Sequence, residues 1–180
     1  MLRGQRVGLR HVTEADLPWL KRTTGDPQIR GQFMGTRMLP PQTIEKRWAE
    51  NGFSSEDAER LLICHLIDGS VIGDVMHFSA ARYTTAREIG WTMADLSMRG
   101  QGLTTEAVAL LVDYLFENFP VNRLCSGMSV HNHASRRVAE KCGFQHEGIQ
   151  RGIVFVAGEY VDCHSLSLLR SDWQTMKGKT

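Results

Sequence analysis

The chain has 180 residues, of which 42% are hydrophobic, so it is long enough for one domain with a substantial core and too short for two ordinary ones. Its 21 basic and 20 acidic residues leave a net charge of +1, which argues against a broad nucleic-acid or anionic-membrane surface. No apolar run is long enough to span a membrane, and the N-terminus lacks a signal-peptide core. We therefore expect one cytoplasmic domain over residues 1–180, a monomer or homodimer that binds neither membrane nor nucleic acid.

The first half of the chain predicts one strand and up to three helices. Residues 6–12 alternate as a strand does, and the capping-box spacing of Thr13 and Asp16 predicts that a helix opens there. A short helix is expected next, with apolar positions at Ile29, Phe33 and Met34. Another helix is expected from about Gln42 to Gly52.

The middle of the chain predicts three antiparallel strands. Residues 60–67 and 71–78 are apolar and flank Asp68-Gly69, a dipeptide typical of tight hairpin turns. A second connection leads to a strand over residues 87–94. These strands directly precede a glycine-bearing turn.

That turn, at residues 99–102, lies between the third strand and an apolar helix. Gly100 and Gly102 widen the range of backbone conformations that the turn can adopt, and Thr104 and Thr105 offer hydroxyls to cap the helix. Because a helix N-terminus carries partial positive charge and unpaired N–H groups, a phosphate could be held there, with Arg99 adding charge. Taken alone, the turn is weak evidence for phosphate binding, since many Gly-x-Gly sequences before a helix only allow the chain to make a tight turn. It has neither the Gly-Lys-Ser/Thr ending of a nucleotide loop nor the third glycine of a dinucleotide loop.

The second half predicts a helix over residues 103–119, a strand over 121–130, a helix over 132–142 and a final hairpin over 147–169. The order is one strand, two or three helices, three strands, then helix, strand, helix and two strands. This order predicts a mixed, mostly antiparallel central sheet flanked by helices, an α/β (α+β) fold. The tail from Met176 to Thr180 is expected to be frayed.

Metal binding is not expected. His131 and His133 flank Asn132 in a polar segment that favours a loop over a metal site. The cysteines lack Cys-x-x-Cys spacing and sit among apolar residues, which predicts buried free thiols. They are Cys64, Cys125, Cys142 and Cys163.

Two motifs resemble those of the GNAT N-acetyltransferases. Arg99-Gly100-Gln101-Gly102-Leu103-Thr104 is similar to the family's Arg/Gln-x-x-Gly-x-Gly/Ala acyl-CoA loop, although Thr104 departs from its small final residue. The segment from Asn132 to Phe144 is similar to the helix that follows this loop, with Asn, Ser and Gly-Phe at matching positions. The chain's opening, the Glu88-Ile-Gly-Trp strand and the ending further resemble the branch that acetylates the N-termini of ribosomal proteins.

This resemblance implies the GNAT fold and acetyl-CoA as cosubstrate, with no metal. The strand at Trp91, Thr92 and Met93 would splay from the strand ending at Val130, so that pantetheine inserts between them. The pyrophosphate would lie on the turn from Arg99 to Thr104, and Asn132 would contact the pantetheine arm. The expected cofactor-binding residues are Trp91, Thr92, Met93, Arg99, Gly100, Gln101, Gly102, Leu103, Thr104 and Asn132.

Two residues are candidates for catalysis. Ser135 lies where its hydroxyl could protonate the departing thiolate, or it could merely support the first helical turn. Glu88 lies on the strand leading to the reaction centre and could act as general base, or it could form a salt bridge or position the substrate. Weaker candidates for proton transfer are Glu159, Asp162, His77 and His164. Arg137 and Lys141 could reach phosphates, but a solvated helix face is the more ordinary role for them.

Two functions follow from these observations. The first is transfer of an acetyl group from acetyl-CoA to a primary amine, on a protein N-terminus or a small molecule, by direct attack in a ternary complex. The second is a non-catalytic acyl-CoA-binding or protein-interaction module. A mononucleotide-binding protein would fit the turn alone but not the second motif. The acceptor amine does not follow from the sequence.

Overall fold

The computed structural model describes residues 1–33 and 39–178, so Met34, expected in a short helix, lies outside the described residues. The strands are β1 Leu2–Arg3, β2 Val7–His11, β3 Ala58–His65, β4 Val71–Ser79, β5 Arg87–Met93, β6 Arg123–Ser129, β7 Gln145–Val156 and β8 Glu159–Leu169. The helices are α1 Leu17–Gly25, α2 Pro27–Arg30, α3 Gln42–Asn51, α4 Leu103–Asn118, α5 His133–Lys141 and α6 Arg170–Lys177. Within these described ranges, no helix is long and apolar enough to cross a membrane.

The described strands form one sheet in the order β1-β2-β3-β4-β5-β6-β8-β7. All neighbours pair antiparallel except β5 and β6, which pair in parallel. The predicted mixed, mostly antiparallel sheet flanked by helices is therefore confirmed. Two elements were not expected, the two-residue strand β1 and the helix α6. Because α6 includes Met176 and Lys177, the prediction that the chain is frayed from Met176 was wrong for these two residues.

Helices pack on both faces of the sheet. Each face presents its own set of apolar side chains to them, because successive side chains of a strand point in opposite directions. On one face, called the α4 face, strand residues such as Ile89, Leu124 and Leu166 pack with α4 and α5 in the larger core. On the other, called the α1 face, Leu62 packs with Leu20 of α1 and Ile44 of α3 in a smaller core. Each face therefore has its own apolar layer.

The capping box predicted before the first helix is present, although it opens a 3₁₀ turn that leads into α1. The Asp16 carboxylate accepts from the backbone N–H and the hydroxyl of Thr13 at 2.8 and 2.7 Å. It also accepts two hydrogen bonds from the Arg10 guanidinium of β2, at 2.6 and 2.8 Å. These contacts join the helical layer of the α1 face to the sheet.

Candidate functional site

Strands β5 and β6 separate after two residue pairs. Arg87 pairs with Leu124 and Glu88 with Cys125, and beyond them the ladder ends. The Ser126 hydroxyl of β6 donates to the Ile89 carbonyl at 3.1 Å, one residue past the last pair. The sheet therefore opens into a wedge-shaped gap whose apex lies beside Glu88.

The backbone of β5 offers hydrogen-bonding groups to this gap. Alternate residues of a strand point their N–H and C=O groups to the same side. Because the Ile89 carbonyl faces β6, those of Trp91 and Met93 face the gap, and the Met93 carbonyl accepts there from Arg99 Nη2 at 3.1 Å. The Thr92 carbonyl points the other way, since it lies 2.2 Å from where a Cβ on Gly73 of β4 would be.

The glycine turn ends at the wide end of the gap. Gly100 and Gly102 have φ of 76° and 81°, in the left-handed region that favours glycine. Gly102 is the N-cap of α4, so the expected capping by Thr104 and Thr105 was wrong, and both threonines lie inside the first turn. The first-turn N–H groups are the ones a helix leaves unpaired, and Leu103, Thr104 and Thr105 all line the gap.

Two residues far away in sequence hold this turn in place. Arg6 Nη1 donates to the Gln101 carbonyl at 2.9 Å, and its Nε is 3.2 Å from a carboxylate oxygen of Glu106. Burial opposes ionisation of Glu106, but N–H groups of Arg6 and Val7 hold the pKa of this carboxyl below its usual value. Sequence reasoning missed this brace, because its partners are 100 residues apart.

Helix α5 brings the second motif to the gap. The Asn132 side chain caps the helix by accepting from the Ser135 N–H at 3.1 Å. Both residues line the gap, and within residues 1–33 and 39–178 the Ser135 hydroxyl makes no hydrogen bond. Asn132, not Ser135, therefore supports the first turn through its side chain.

Together these elements enclose a groove of about 760 Å³ that passes through the sheet. Met76, Gly90 and Gly127 line it from the α1 face, whereas Leu103 and Val138 line it from the α4 face. Of the predicted cofactor-binding residues, all line the groove except Gln101, whose side-chain amide turns back to the Ser97 carbonyl at 3.0 Å.

The cations of the groove are on the turn and on two helices. They are Arg30, Arg99, Arg137 and Lys141. Arg137 and Lys141 are exposed, as expected for a solvated helix face, and they also line the groove; in the described part of the chain neither forms an ion pair or hydrogen bond. By contrast, Arg136 pairs with Glu140 at 2.8 Å. The described residues of the groove therefore carry positive charge.

Glu88 lies on the α1 face and does not itself line the groove, but it is next to Gly127, which does. Its Oε1 is 3.8 Å from the position a Cβ on Gly127 would occupy, so the absence of a side chain there leaves a path to the carboxylate. Burial raises the pKa of Glu88, and among the described residues no hydrogen bond or ion pair holds it. A raised pKa and a free carboxylate are properties of a proton acceptor.

The weaker candidates for proton transfer do not line the groove. His77 is buried on the α4 face, with Nε2 at 3.2 Å from Glu59. His164 bonds to His146 at 3.0 Å, and Asp162 accepts from the Gly152 N–H at 2.8 Å. Glu159 is at the tip of the β7–β8 hairpin and exposed. Glu88 does not line the groove either, but it differs from these residues in lying next to Gly127, which lines the groove.

The cysteines are free thiols, as predicted, but only three are buried, and Cys125 is half-buried. Burial raises the pKa of Cys142 to about 12 and raises those of Cys64 and Cys163. Within the described part of the chain, no cysteine lines the groove. A thiolate nucleophile is therefore not part of this site.

Residues 6–145 match the family described as the acetyltransferase (GNAT) domain. The chain belongs to this family. Among curated relatives, the probable N-acetyltransferase YjcK of Bacillus subtilis is 36% identical over 105 residues, which are 58% of each chain. The putative ribosomal N-acetyltransferase YdaF of the same organism is 34% identical over 112 residues, 62% of this chain and 61% of that protein. The matched segments thus span about three fifths of these relatives.

Solved structures share the fold. The spermidine N-acetyltransferase from Vibrio cholerae in complex with CoA and spermine superimposes with a TM-score of 0.84, covering 95% of this chain and 99% of that one, at 17% identity. The GNAT fold and the likeness to ribosomal N-acetyltransferases, both expected from the motifs, are confirmed.

Proposed function

We propose that this protein transfers an acetyl group from acetyl-CoA to a primary amine, by direct attack in a ternary complex. One observation carries the proposal: the sheet is open between β5 and β6, with the N-terminus of α4 at the gap on the α4 face and the carboxylate of Glu88 beside it on the α1 face. Two substrates entering from opposite faces would meet inside the gap. Membership of the GNAT family supports the same reaction.

The residues of the α4 face fit coenzyme A. The N–H groups of Leu103, Thr104 and Thr105 would hold the pyrophosphate, where a Cβ on Gly102 would strain the turn. The gap-facing backbone of Trp91 and Met93 would pair with the two pantetheine amides as a neighbouring strand does. Three further side chains complete the cradle: the amide of Asn132 beside the pantetheine arm, and the cations of Arg137 and Lys141 for phosphate.

Acetyl-CoA supplies the acyl group as an activated thioester, and the chain moves the protons. Glu88 would accept a proton from the amine, directly or through a water, as the nitrogen attacks the carbonyl carbon. The Met93 N–H would donate to the carbonyl oxygen as negative charge develops on it. The Ser135 hydroxyl would give its proton to the sulfur as the carbon–sulfur bond breaks. Ser135 would then regain a proton from solvent while Glu88 releases the one it took from the amine, so the products are the amide and the CoA thiol and the enzyme is restored without a covalent intermediate.

The cysteines support direct transfer over a two-step route. An acetyl-cysteine intermediate needs an ionised thiol within reach of the thioester. The three buried thiols have raised pKa values, and no described cysteine lines the groove. Initial-rate patterns should therefore show lines that intersect when both substrates are varied.

The alternative is an acyl-CoA-binding module without turnover. It would keep the helix terminus and the groove cations, but it would not need a free carboxylate on the opposite face. Glu88, which has no partner among the described residues, favours the enzyme.

The test is release of CoA thiol when acetyl-CoA is mixed with a panel of amines, compared with the thiol released without amine. We expect amine-dependent release, with kcat/KM falling as pH drops through the raised pKa of Glu88, since the base must be ionised. Glu88→Gln should lower kcat/KM by about 10²–10⁴-fold and should remove this decrease of kcat/KM at low pH. Glu117→Gln, an exposed change on α4, is the control. Acetyl-CoA binding without amine-dependent release would support the module instead.

A further inference from the structure

Two glycines lie opposite each other where β5 and β6 separate. The last paired residues are Glu88 and Cys125, and two positions further along the same register are Gly90 of β5 and Gly127 of β6. Because successive side chains of a strand point in opposite directions, these positions share the α1 face with Glu88. Both glycines line the groove. On the α1 face, the gap therefore opens at a pair of residues that have no side chain.

The backbone conformation does not require glycine at either position. Gly90 and Gly127 are not among the residues with positive φ. A Cβ on Gly90 would lie 3.6 Å from its nearest neighbour, Met76 Cγ. A Cβ on Gly127 would lie 3.8 Å from Glu88 Oε1 and from the His164 carbonyl oxygen. These are ordinary van der Waals distances, so alanine would fit both positions.

Packing explains another glycine of the sheet but not these two. A Cβ on Gly73 of β4 would collide with the Thr92 carbonyl oxygen, so a larger residue does not fit there. At Gly90 and Gly127, glycine instead costs stability, because it loses more conformational freedom on folding than alanine does. A glycine inside a strand often marks a place where a ligand approaches the backbone closely. The pair therefore indicates that a molecule occupies the space beside it.

The two substrates of the proposed reaction approach this pair from different faces. Leu103, in the first turn of α4, lines the groove from the α4 face, whereas both glycines and Glu88 lie on the α1 face. Among the described residues no hydrogen bond or ion pair holds the Glu88 carboxylate, and a Cβ on Gly127 would come into contact with it. The space beside the glycines thus leads to the proposed proton acceptor. This position suits the amine rather than the phosphates of CoA.

We infer that Gly90 and Gly127 determine which amines the protein accepts, by leaving room for a branch on the carbon that bears the nitrogen. This inference rests on the proposed acetyl transfer. The nitrogen would approach Glu88, and a substituent on its carbon would lie where the two side chains are missing. A methyl group at either position would fill part of that room. It would therefore disfavour branched amines more than unbranched ones, and it would leave the phosphate contacts of the α4 face unchanged.

The test measures KM for the amine in Gly90→Ala, Gly127→Ala and the double variant. The amines are the one that releases CoA thiol fastest in the panel and its homologue with one methyl group added to, or removed from, the carbon that bears the nitrogen. Wild type should use both with similar kcat/KM. Each variant should raise KM for the branched amine by about tenfold or more, and KM for the unbranched amine less. Acetyl-CoA affinity by calorimetry should be unchanged, and the midpoint of thermal unfolding should equal or exceed that of wild type.

Gly25→Ala is the matched control, because a Cβ there meets nothing within 4 Å and Gly25 does not line the groove. Gly90→Ala separates width from proton transfer, since its methyl group would contact Met76 and not Glu88. Unchanged KM values in the double variant, or a wild type that already rejects the branched amine, would overturn the inference. Weaker acetyl-CoA binding or a lower unfolding midpoint in the variants would also overturn it, by assigning the glycines to the acetyl-CoA path or to the fold. If wild type releases no thiol with any amine, the proposed function itself fails.

Discussion

At the residue scale, Asn132 and Ser135 separate binding from chemistry on one helical turn. Asn132 uses its side-chain oxygen to cap α5, which leaves its amide N–H groups for a ligand. The Ser135 hydroxyl lines the groove, and in the described part of the chain nothing bonds to it. We therefore expect Asn132 to act in binding and Ser135 in proton transfer, although they are only three residues apart.

Ser135→Ala should lower kcat by roughly ten- to a thousand-fold, because a proton donor for the thiolate is lost. Acetyl-CoA affinity should stay nearly unchanged. Asn132→Ala should instead weaken acetyl-CoA binding, and it should cost about 1 kcal/mol of stability through the lost cap. Calorimetry and steady-state rates separate the two effects. An unaltered kcat in Ser135→Ala, under conditions where chemistry limits turnover, would remove Ser135 from the mechanism.

At the scale of elements, the turn before α4 depends on backbone conformation more than on side chains. A Cβ on Gly102 would meet Arg6 Nη2 at 3.3 Å in a left-handed conformation that a branched side chain rarely adopts. The strain would rotate the first-turn N–H groups and displace Arg6, which holds the turn through the Gln101 carbonyl.

Gly102→Val should therefore weaken acetyl-CoA binding by more than tenfold, which is about 1.4 kcal/mol or more. Arg99→Ala should cost less, since main-chain groups hold most of the phosphate. Gly25→Val is the matched control, because nothing lies within 4 Å of a Cβ at Gly25. Calorimetric titration with acetyl-CoA measures all three. Wild-type affinity in Gly102→Val would show that the turn is not the phosphate site.

How far the sequence predicts an element depends on how local its determinants are. The β3–β4 hairpin follows from the Asp68-Gly69 turn, and α5 from an N-cap and a closing glycine, Gly143, whose φ is 89°. The start of α4 at Leu103 was predicted correctly, but its capping residue was not, because threonine hydroxyls are ordinary caps and Gly102 takes that position through its left-handed conformation. The Arg6–Glu106 brace and the groove-facing side of α5 depend on tertiary packing, which local patterns do not contain.

At the scale of the whole molecule, the open sheet needs something other than strand pairing to hold its halves together. Only two residue pairs join β5 to β6, whereas seven join β6 to β8. The larger core on the α4 face includes Ile89 from one half and Leu124 and Leu166 from the other, all packed with α4. The burial of apolar side chains under α4 thus compensates for the strand-to-strand hydrogen bonds that are missing where β5 and β6 separate.

The smaller core on the α1 face is joined to the sheet by a charged contact, and this makes the stability of the molecule depend on pH. Hydrogen bonds from Arg10 lower the pKa of Asp16 to about 2, against an unfolded value of about 3.9. Because the folded pKa is depressed, the stabilisation is complete above about pH 5 and is lost as pH falls toward about 2.

Asp16→Asn should lower the free energy of unfolding by about 1–2 kcal/mol at neutral pH, since it removes the charge that Arg10 pairs with. The difference between wild type and variant should shrink steadily below pH 5. Urea unfolding at several pH values measures it, with Glu14→Gln, an exposed change in the same turn, as control. A difference that stays constant from pH 7 to pH 3 would mean that Asp16 stabilises the fold through its shape and hydrogen bonds rather than its charge. In that case the α1-face layer would hold to the sheet mainly through Leu20 and Ile44 packing on Leu62.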